Sequence, residues 1–289
     1  MDPRKLTANE KQALTVLLDD PSPSVRTALL AQLGALGGEG REFLQAVAQG
    51  PDKSIATAAA WYLRELRFED PVAEFRGFIR SLNYELETGA ILLARTVNPG
   101  LDVVAVCTQL DALAARCRKL GAARGTMREQ CQIINRVLFE DFGLRGNLEY
   151  YTDPRNSFID QVLIRRTGIP ISLAIVYLLV ARRLGLDLEP VGAPGHFYLG
   201  AYEPEGPFYI DAFGAGRQLT PEQVFAALRQ NQHDPQLADL APTPIREVLC
   251  RCCRNLASHY AAAGQGEQSL LFASFVQEFN ATYERHAAP

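Results

Sequence analysis

The chain of 289 residues has no excess of basic residues and no long apolar run. Its 29 Lys and Arg stand against 33 Asp and Glu, which gives a net charge of -4. Without a basic excess, neither nucleic acid nor an anionic membrane is expected as a partner. The start, Met1 to Gln12, lacks the apolar segment of a signal peptide. The longest apolar stretch, residues 169–181, is well short of the ~20 residues that cross a bilayer. We therefore predict a cytoplasmic protein.

The six cysteines do not form a recognisable metal or disulfide framework. In a cytoplasmic chain they are better interpreted as free thiols that pack as small hydrophobic residues. The one cluster is Cys250, Cys252 and Cys253, and neighbouring positions on a helix point in different directions. His259 follows Cys252 on the same helical face, but a set of four zinc ligands is not visible. We predict no metal and no cofactor.

Residues 1–70 contain an internal repeat. The segment Leu17 to Leu30 returns as Val47 to Ala60, with Pro21 and Pro51 at matching positions. In each copy a loop proline precedes a serine, Ser24 or Ser54, that we expect to cap a new helix. The pattern resembles a pair of HEAT-like repeats, which need neighbours to bury their apolar faces. We expect them to pack on the core as a helical cap, the alternative being a free-standing peptide-binding arm.

Residues 71–220 carry first helical and then strand patterns. Apolar residues at helical spacing predict helices over Tyr84 to Thr96 and Val103 to Leu120. A short helix ending near Arg165 and Arg166 is expected to be capped by Asn156 or Ser157. Alternating strands at Phe197 to Tyr202 and Phe208 to Phe213 flank a turn-rich connection and predict a hairpin. The fold class is therefore α+β, mostly helical, with a small antiparallel sheet.

One helix of this region starts in an unusual way. It opens with Gly168, Ile169, Pro170, Ile171 and Ser172 and ends before Gly185, and His196 and Asp211 follow on the two hairpin strands. The arrangement resembles the transglutaminase-like, papain-type core, in which a Cys begins a buried helix and a His and an Asp follow on strands. The resemblance places that Cys two residues after Gly168 and about 15 before Gly185. The residue there is Pro170.

The wider run from about Asp70 to Leu219 is similar to the SirB-type branch of that superfamily. This resemblance implies that the Cys is generally missing in the branch, and that His196 and Asp211 form a residual pair. It makes Asn156, Ser172 and Tyr198 candidate binding residues of the remaining groove. Ser172 lies about 200° around the helix from the Cys position, so we do not expect it to act as a nucleophile.

Two further segments leave alternatives open. Residues 221–289 follow a tetratricopeptide-like spacing imperfectly, which favours a helical hairpin docked on the core over a peptide receptor. Arg165 and Arg166 are expected to pair with Asp153, Asp160 or a ligand carboxylate, or to stay solvated near a helix end.

Thiol acyl transfer needs a nucleophile, and a proline ring offers none. The sequence therefore predicts a non-catalytic transglutaminase-like protein that binds another protein or a peptide. The alternative is an amide hydrolase or acyl transferase that uses His196 and Asp211 with water, Ser172 or Cys131 as the attacking group. A third possibility is a structural scaffold with no active groove.

Overall fold

The computed structural model describes residues 6–66, 70–122 and 125–287. The chain divides into two compact units, Met1–Asp70 and Pro71–Pro289. Each unit has its own cluster of buried apolar side chains.

The first unit consists of helices, namely α1 (Ala8–Leu17), α2 (Pro23–Leu36), α3 (Gly38–Ala48) and α4 (Lys53–Glu65). The repeat is visible in the starts of α2 and α4, which lie at matching positions of the two copies. The predicted caps were wrong, because Ser24 and Ser54 lie inside the first helical turns. Asp52 caps α4 by accepting hydrogen bonds from the amides of Ser54 and Ile55. The corresponding Ser22 makes no such bond.

The second unit is also mostly helical. Its helices are α5 (Pro71–Ser81), α6 (Leu86–Arg95), α7 (Val103–Lys119), α8 (Met127–Asn135), α9 (Ile159–Arg165), α10 (Pro170–Arg183), α11 (Pro221–Gln230), α12 (Ile245–Ala262) and α13 (Gly266–Ala287). A π-helical turn, Arg136–Asp141, continues α8, and 3-10 turns lie at Pro154–Ser157 and Leu237–Leu240. The two helices predicted from apolar spacing are confirmed as α6 and α7.

The predicted cap of α9 was wrong. Asn156 and Ser157 lie in the 3-10 turn that precedes this helix, and Phe158 is its N-cap residue without a side-chain hydrogen bond. The 3-10 turn itself is capped by Asp153, whose side chain accepts from the amide of Arg155. Because the chain enters α9 from a tight turn, the polar side chains of that turn face inward instead of back along the helix.

The centre of this unit is α10. Every residue from Pro170 to Ala181 is buried, so the helix packs on all of its faces. A helix that is apolar all round is stable only inside a core. The hydroxyl of Tyr177 lies within hydrogen-bond distance of the backbone oxygen of Cys131, at 3.1 Å, and of the Asn135 side-chain oxygen, at 3.0 Å.

The strands form two small sheets. In the first, β1 (Arg145–Gly146) pairs in parallel with β2 (Thr167–Gly168). The second is antiparallel, with the order β3 (Glu189–Val191), β4 (Tyr198–Glu203), β5 (Gly206–Asp211) and β6 (Arg217–Leu219). The predicted hairpin is formed by β4 and β5, in which Leu199 lies opposite Ile210. The α+β class with a small antiparallel sheet is thus confirmed.

The last two helices share the core of the second unit. Gly264, at a positive φ of 71°, makes the turn between α12 and α13. Phe275 of α13 packs edge-on against Phe75 of α5, with 4.9 Å between the ring centroids. Residues 221–289 therefore belong to the second compact unit, and their tetratricopeptide-like character stays a prediction. None of the helices described is long and apolar enough to cross a membrane.

The two separate cores lead to a prediction for truncation. A chain of residues 71–289 should fold on its own, because the apolar cluster around α10 draws its side chains from Phe75 to Phe279 only. Size-exclusion chromatography and thermal unfolding would test this, and a monomer with one cooperative transition is expected. Aggregation of the shortened chain would favour the opposite view, that the repeats are an integral cap.

Candidate functional site

The structure brings His196 and Asp211 together as a hydrogen-bonded pair. The Nε2 atom of His196 lies 2.9 Å from Oδ1 of Asp211. His196 stands just before β4 and Asp211 ends β5, so the antiparallel hairpin brings them together. Gly195 adopts a positive φ of 70°, a conformation that a residue with a Cβ rarely adopts, and this turns the chain into the strand. Both side chains are mostly buried, with 18% and 10% of their surfaces exposed.

The surroundings of Asp211 favour its carboxylate form. Burial alone would raise the pKa of Asp211, but the hydrogen bond and charge of His196 outweigh it. The amide of Gly214 also donates to Oδ1 at 3.0 Å, and the Arg217 guanidinium lies 3.8 Å from Oδ2. The net effect holds the pKa below its ordinary value. An ionised Asp211 can only accept this hydrogen bond, so Nε2 of His196 carries the proton.

Two aromatic rings enclose the imidazole. The ring of Tyr198 lies 4.6 Å from that of His196, and the ring of Phe213 lies 6.1 Å from it. Burial raises the pKa of Tyr198 to about 12, so its hydroxyl stays protonated near neutral pH. Of the three candidate binding residues, Tyr198 is the one whose side chain packs against His196.

Arg251 of α12 holds the loop that carries His196, and sequence reasoning missed it. Its guanidinium donates to the backbone oxygens of Ala193 and His196, both at 3.0 Å. It also lies over the ring of Phe197, 5.6 Å from the centroid. Arg251 is far from the pair along the chain, so only the docking of α12 reveals this contact. No local motif signals it.

A buried proline stands where the sequence resemblance predicts the nucleophile position, and that assignment stays a prediction. Pro170 is the first residue of α10. Two residues on, the Ser172 oxygen accepts from the amide of Ile169 at 3.0 Å and lies 2.6 Å from the carbonyl oxygen of Asn156, to which it donates. This hydroxyl is buried and joins the helix start to the preceding 3-10 turn. In the described part of the chain, no hydroxyl or thiol is hydrogen-bonded to the His196 ring.

Asn156 is completely buried, with 0% of its surface exposed. Its Nδ2 donates to the carbonyl of Tyr150 at 2.7 Å, and its Oδ1 accepts from Asn147 at 3.0 Å. These bonds hold the segment that leads into α9. Binding roles for Asn156 and Ser172 stay predictions, and a ligand would reach either side chain only after a rearrangement.

None of the six cysteines is suited to attack a substrate. Burial raises the pKa of Cys131 to about 11 and that of Cys252 to about 12. Cys117, Cys250 and Cys253 are also buried, and burial raises the pKa of each. Cys107 is partly exposed, but burial and the Glu87 carboxylate, to which it donates, raise its pKa too. Among the residues described, no three His, Cys, Asp or Glu side chains are grouped to hold a metal ion.

The adjacent residues Arg165 and Arg166 make different contacts. Arg165 donates to Asp153 at 3.0 Å, which matches one of the expected pairs. Arg166 adopts a positive φ of 57° at the end of α9 and lies over the ring of Phe142, 5.0 Å from the centroid. Asp160 is not paired with either arginine in the contacts described, and accepts instead from Asn98 and Gln161, both at 3.1 Å.

An exposed apolar segment lies beside the pair. It consists of Leu148, Tyr150 and Tyr151, which we call the Leu-Tyr rim. Leu148 is 80% exposed and Tyr150 is 63% exposed. The rings of Tyr151 and Phe213 are 6.1 Å apart, so Phe213 connects the rim to His196. An open groove of about 500 Å³ runs along the rim and is lined by Arg145 and Arg165.

Comparison with known proteins agrees with this geometry. Residues 104–254 match the model of the transglutaminase-like superfamily. A UPF0162 protein of Xylella fastidiosa (strain 9a5c) is 36% identical over 190 residues, which cover 64% of this chain and 68% of that protein. The chain therefore belongs to the transglutaminase-like superfamily and, within it, to the family of the UPF0162 proteins.

Three other relatives differ in their identity to this chain and in the share of each protein that is covered. F-box only protein 21 of Homo sapiens is 32% identical over 236 residues, covering 71% of this chain and 37% of that protein. UPF0162 protein YchA of Escherichia coli (strain K12) is 24% identical over 195 residues, covering 66% and 72%. The chain spans 65% of a UPF0162 protein from Xylella fastidiosa (strain Temecula1 / ATCC 700964), so the relatives extend beyond the matched stretch. No solved structure matches the chain significantly.

The pair's hydrogen bond leads to a stability prediction. His196→Ala should lower the free energy of unfolding by about 1 to 3 kcal/mol, because the mostly buried Asp211 carboxylate loses its side-chain donor and keeps only the Gly214 amide on Oδ1. Since the pKa of Asp211 is lowered in the folded state, its contribution is present above the unfolded value of 3.8 and is lost as pH falls through the folded value. The stability difference between the variant and the wild type should therefore be largest above the unfolded pKa and should shrink as pH falls. Urea titrations at several pH values would measure both effects.

The matched control is His233→Ala. His233 is half-buried beside Gly195 and makes no side-chain hydrogen bond in the described part of the structure. It should change the free energy of unfolding by well under 1 kcal/mol. An unchanged stability for His196→Ala, together with loss of an amidase activity, would contradict a structural role for the pair.

Proposed function

We propose that this chain is a cytoplasmic, non-catalytic member of the superfamily that binds another protein. All six cysteines are free, as expected in a reducing compartment. We place the chain in the SirB-type branch, with HEAT-like repeats before the core and a tetratricopeptide-like hairpin after it. Both additions would enlarge the surface that a partner can contact.

The observation that carries this proposal is Pro170 at the first position of α10. Proline is favoured there because the amide hydrogen that it lacks would have no helical partner. Covalent acyl transfer needs a side chain that forms a bond to the acyl carbon, and the proline ring cannot do so. The pair of His196 and Asp211 then has a base and its orienting carboxylate but no thiol to activate.

A second candidate function is an amide hydrolase or acyl transferase. The 2.9 Å hydrogen bond between His196 and Asp211 favours it, since a base held by a carboxylate is the usual arrangement for proton transfer. Of the possible attacking groups, Ser172 donates its proton to Asn156, and burial raises the pKa of Cys131 to about 11. Water is therefore the attacking group that this alternative would use.

The Leu-Tyr rim is the surface that we assign to the partner. Grouped exposed apolar side chains mark interaction sites more often than scattered ones, and tyrosine is enriched at interfaces. The likeness to F-box only protein 21 is compatible with a module, because the matched stretch is 37% of that longer protein.

The assignment of Pro170 to the nucleophile position is tested by Pro170→Cys. At a helix N-terminus the amides and the helix dipole favour a thiolate, and a nearby imidazolium adds to this. The new thiol should react with iodoacetamide at neutral pH faster than any native cysteine. Adding His196→Ala should slow it.

The matched control is Ile171→Cys, which places a thiol in an equally buried position about 100° further around the helix. It should react no faster than the native thiols. Equal reactivity of the two variants, both folded, would mean that residue 170 is not the nucleophile position, and the argument for a non-catalytic protein would then fail.

Binding through the rim is tested by Leu148→Glu and Tyr150→Ala. If these side chains are central to the interface, either change should weaken binding by about 30-fold, the loss of a typical interface anchor. Affinity purification from the native host, with quantification of the co-purifying proteins, would measure the loss. Leu270→Glu is the control, because Leu270 is 73% exposed on α13 and outside the rim. Recovery of the same proteins with all variants would contradict the assignment.

A further inference from the structure

A second concave site lies apart from the residual pair. It is a cavity of about 410 Å³ between the start of α7, helix α9 and the ring of Phe142. This volume is within the range of small-ligand sites. None of Pro170, His196 and Asp211 lines it. Whatever it binds is therefore independent of the chemistry at the pair.

One charged residue of the cavity lining, Asp160, is buried and only 5% exposed. Its Oδ2 accepts hydrogen bonds from Asn98 and Gln161. Its Oδ1 is buried and has no hydrogen-bond partner among the described residues. A buried carboxylate oxygen without a donor is unfavourable, because it has lost its hydration without compensation. The site therefore lacks one donor, and a ligand would supply it.

The other residues that line the cavity indicate the chemistry of such a ligand. Leu101, Val106 and Leu163 are buried apolar side chains that line the cavity. Two carboxylates, Asp102 and Asp160, stand against one guanidinium, Arg166, which leaves the lining with one net negative charge. The Arg166 guanidinium is itself stacked over Phe142. An apolar wall with an excess carboxylate is complementary to a cation on a short hydrocarbon chain.

We propose that this cavity binds an alkylammonium group. The ammonium would donate to the Asp160 carboxylate, and the methylene chain would pack against Leu101, Val106 and Leu163. A charge-assisted hydrogen bond of this kind is about twice as strong as a neutral one. The group has two possible sources, a free small amine and the lysine side chain of another protein, and both present the same chemistry.

The test is a calorimetric titration of the full-length protein with n-hexylamine, and with n-hexanol as the uncharged probe of equal length. The amine should bind and the alcohol should bind at least tenfold more weakly. Asp160→Asn should weaken binding of the amine by about tenfold or more, because the substitution removes the negative charge and keeps the size of the side chain. Asp187→Asn, the same change at an exposed position outside the cavity, should have no effect.

A second cavity variant keeps the proposal testable if Asp160→Asn fails to fold. Ala105→Phe leaves Asp160 intact and should block the amine by filling the cavity, since Ala105 lines it. A lysine analogue, Nα-acetyl-lysine methylamide, distinguishes the sources: tighter binding than hexylamine would assign a lysine side chain, and weaker binding a free amine. Equal binding of amine and alcohol, or amine binding unchanged in both cavity variants, would overturn the proposal. His196→Ala should leave amine binding unchanged, which separates this result from the fate of the proposed function.

Discussion

The structure of the second unit depends on the complete burial of α10. A helix with apolar residues on every face must be surrounded, and α10 contacts helices α6, α7, α8, α9 and α12 as well as strand β4. Its few polar groups are satisfied inside the core, Tyr177 by Cys131 and Asn135, and Ser172 by Ile169 and Asn156. The start of the helix is therefore fixed from all sides. Pro170 suits that position because it brings no amide hydrogen that would have to be satisfied.

The His196 and Asp211 pair is held by elements that are distant in the chain. The hairpin of β4 and β5 brings the two side chains together, while Arg251 of α12 binds the backbone of the loop before β4. The C-terminal hairpin thus supports the site in addition to completing the core. This explains why residues 221–289 do not form a separate compact unit: they pack against the core, and Arg251 binds the loop before β4.

Much of the fold could be predicted from local patterns. Helices α6 and α7 follow from apolar spacing, and the β4–β5 hairpin from alternation around a turn-rich connection. The remaining features depend on which residues come into contact in the folded chain. Asp52 rather than Ser54 caps α4, Asn156 turns inward to bind the segment around Tyr150, and Arg251 reaches His196 from another helix. The Oδ1 atom of Asp160, which has no hydrogen-bond partner among the described residues, could not be predicted from local patterns either, because its surroundings depend on how α7 and α9 pack.

The apolar surroundings of the buried cysteines disfavour their thiolate forms. Forming a thiolate at Cys252, where burial raises the pKa from 9.0 to about 12, would cost about 4 kcal/mol more than in water. For Cys131, with a pKa of about 11, the extra cost is about 3 kcal/mol. Neither residue is positioned at a helix N-terminus, where backbone amides would offset that cost. Burial in the apolar core thus keeps Cys131 and Cys252 in the thiol form near neutral pH.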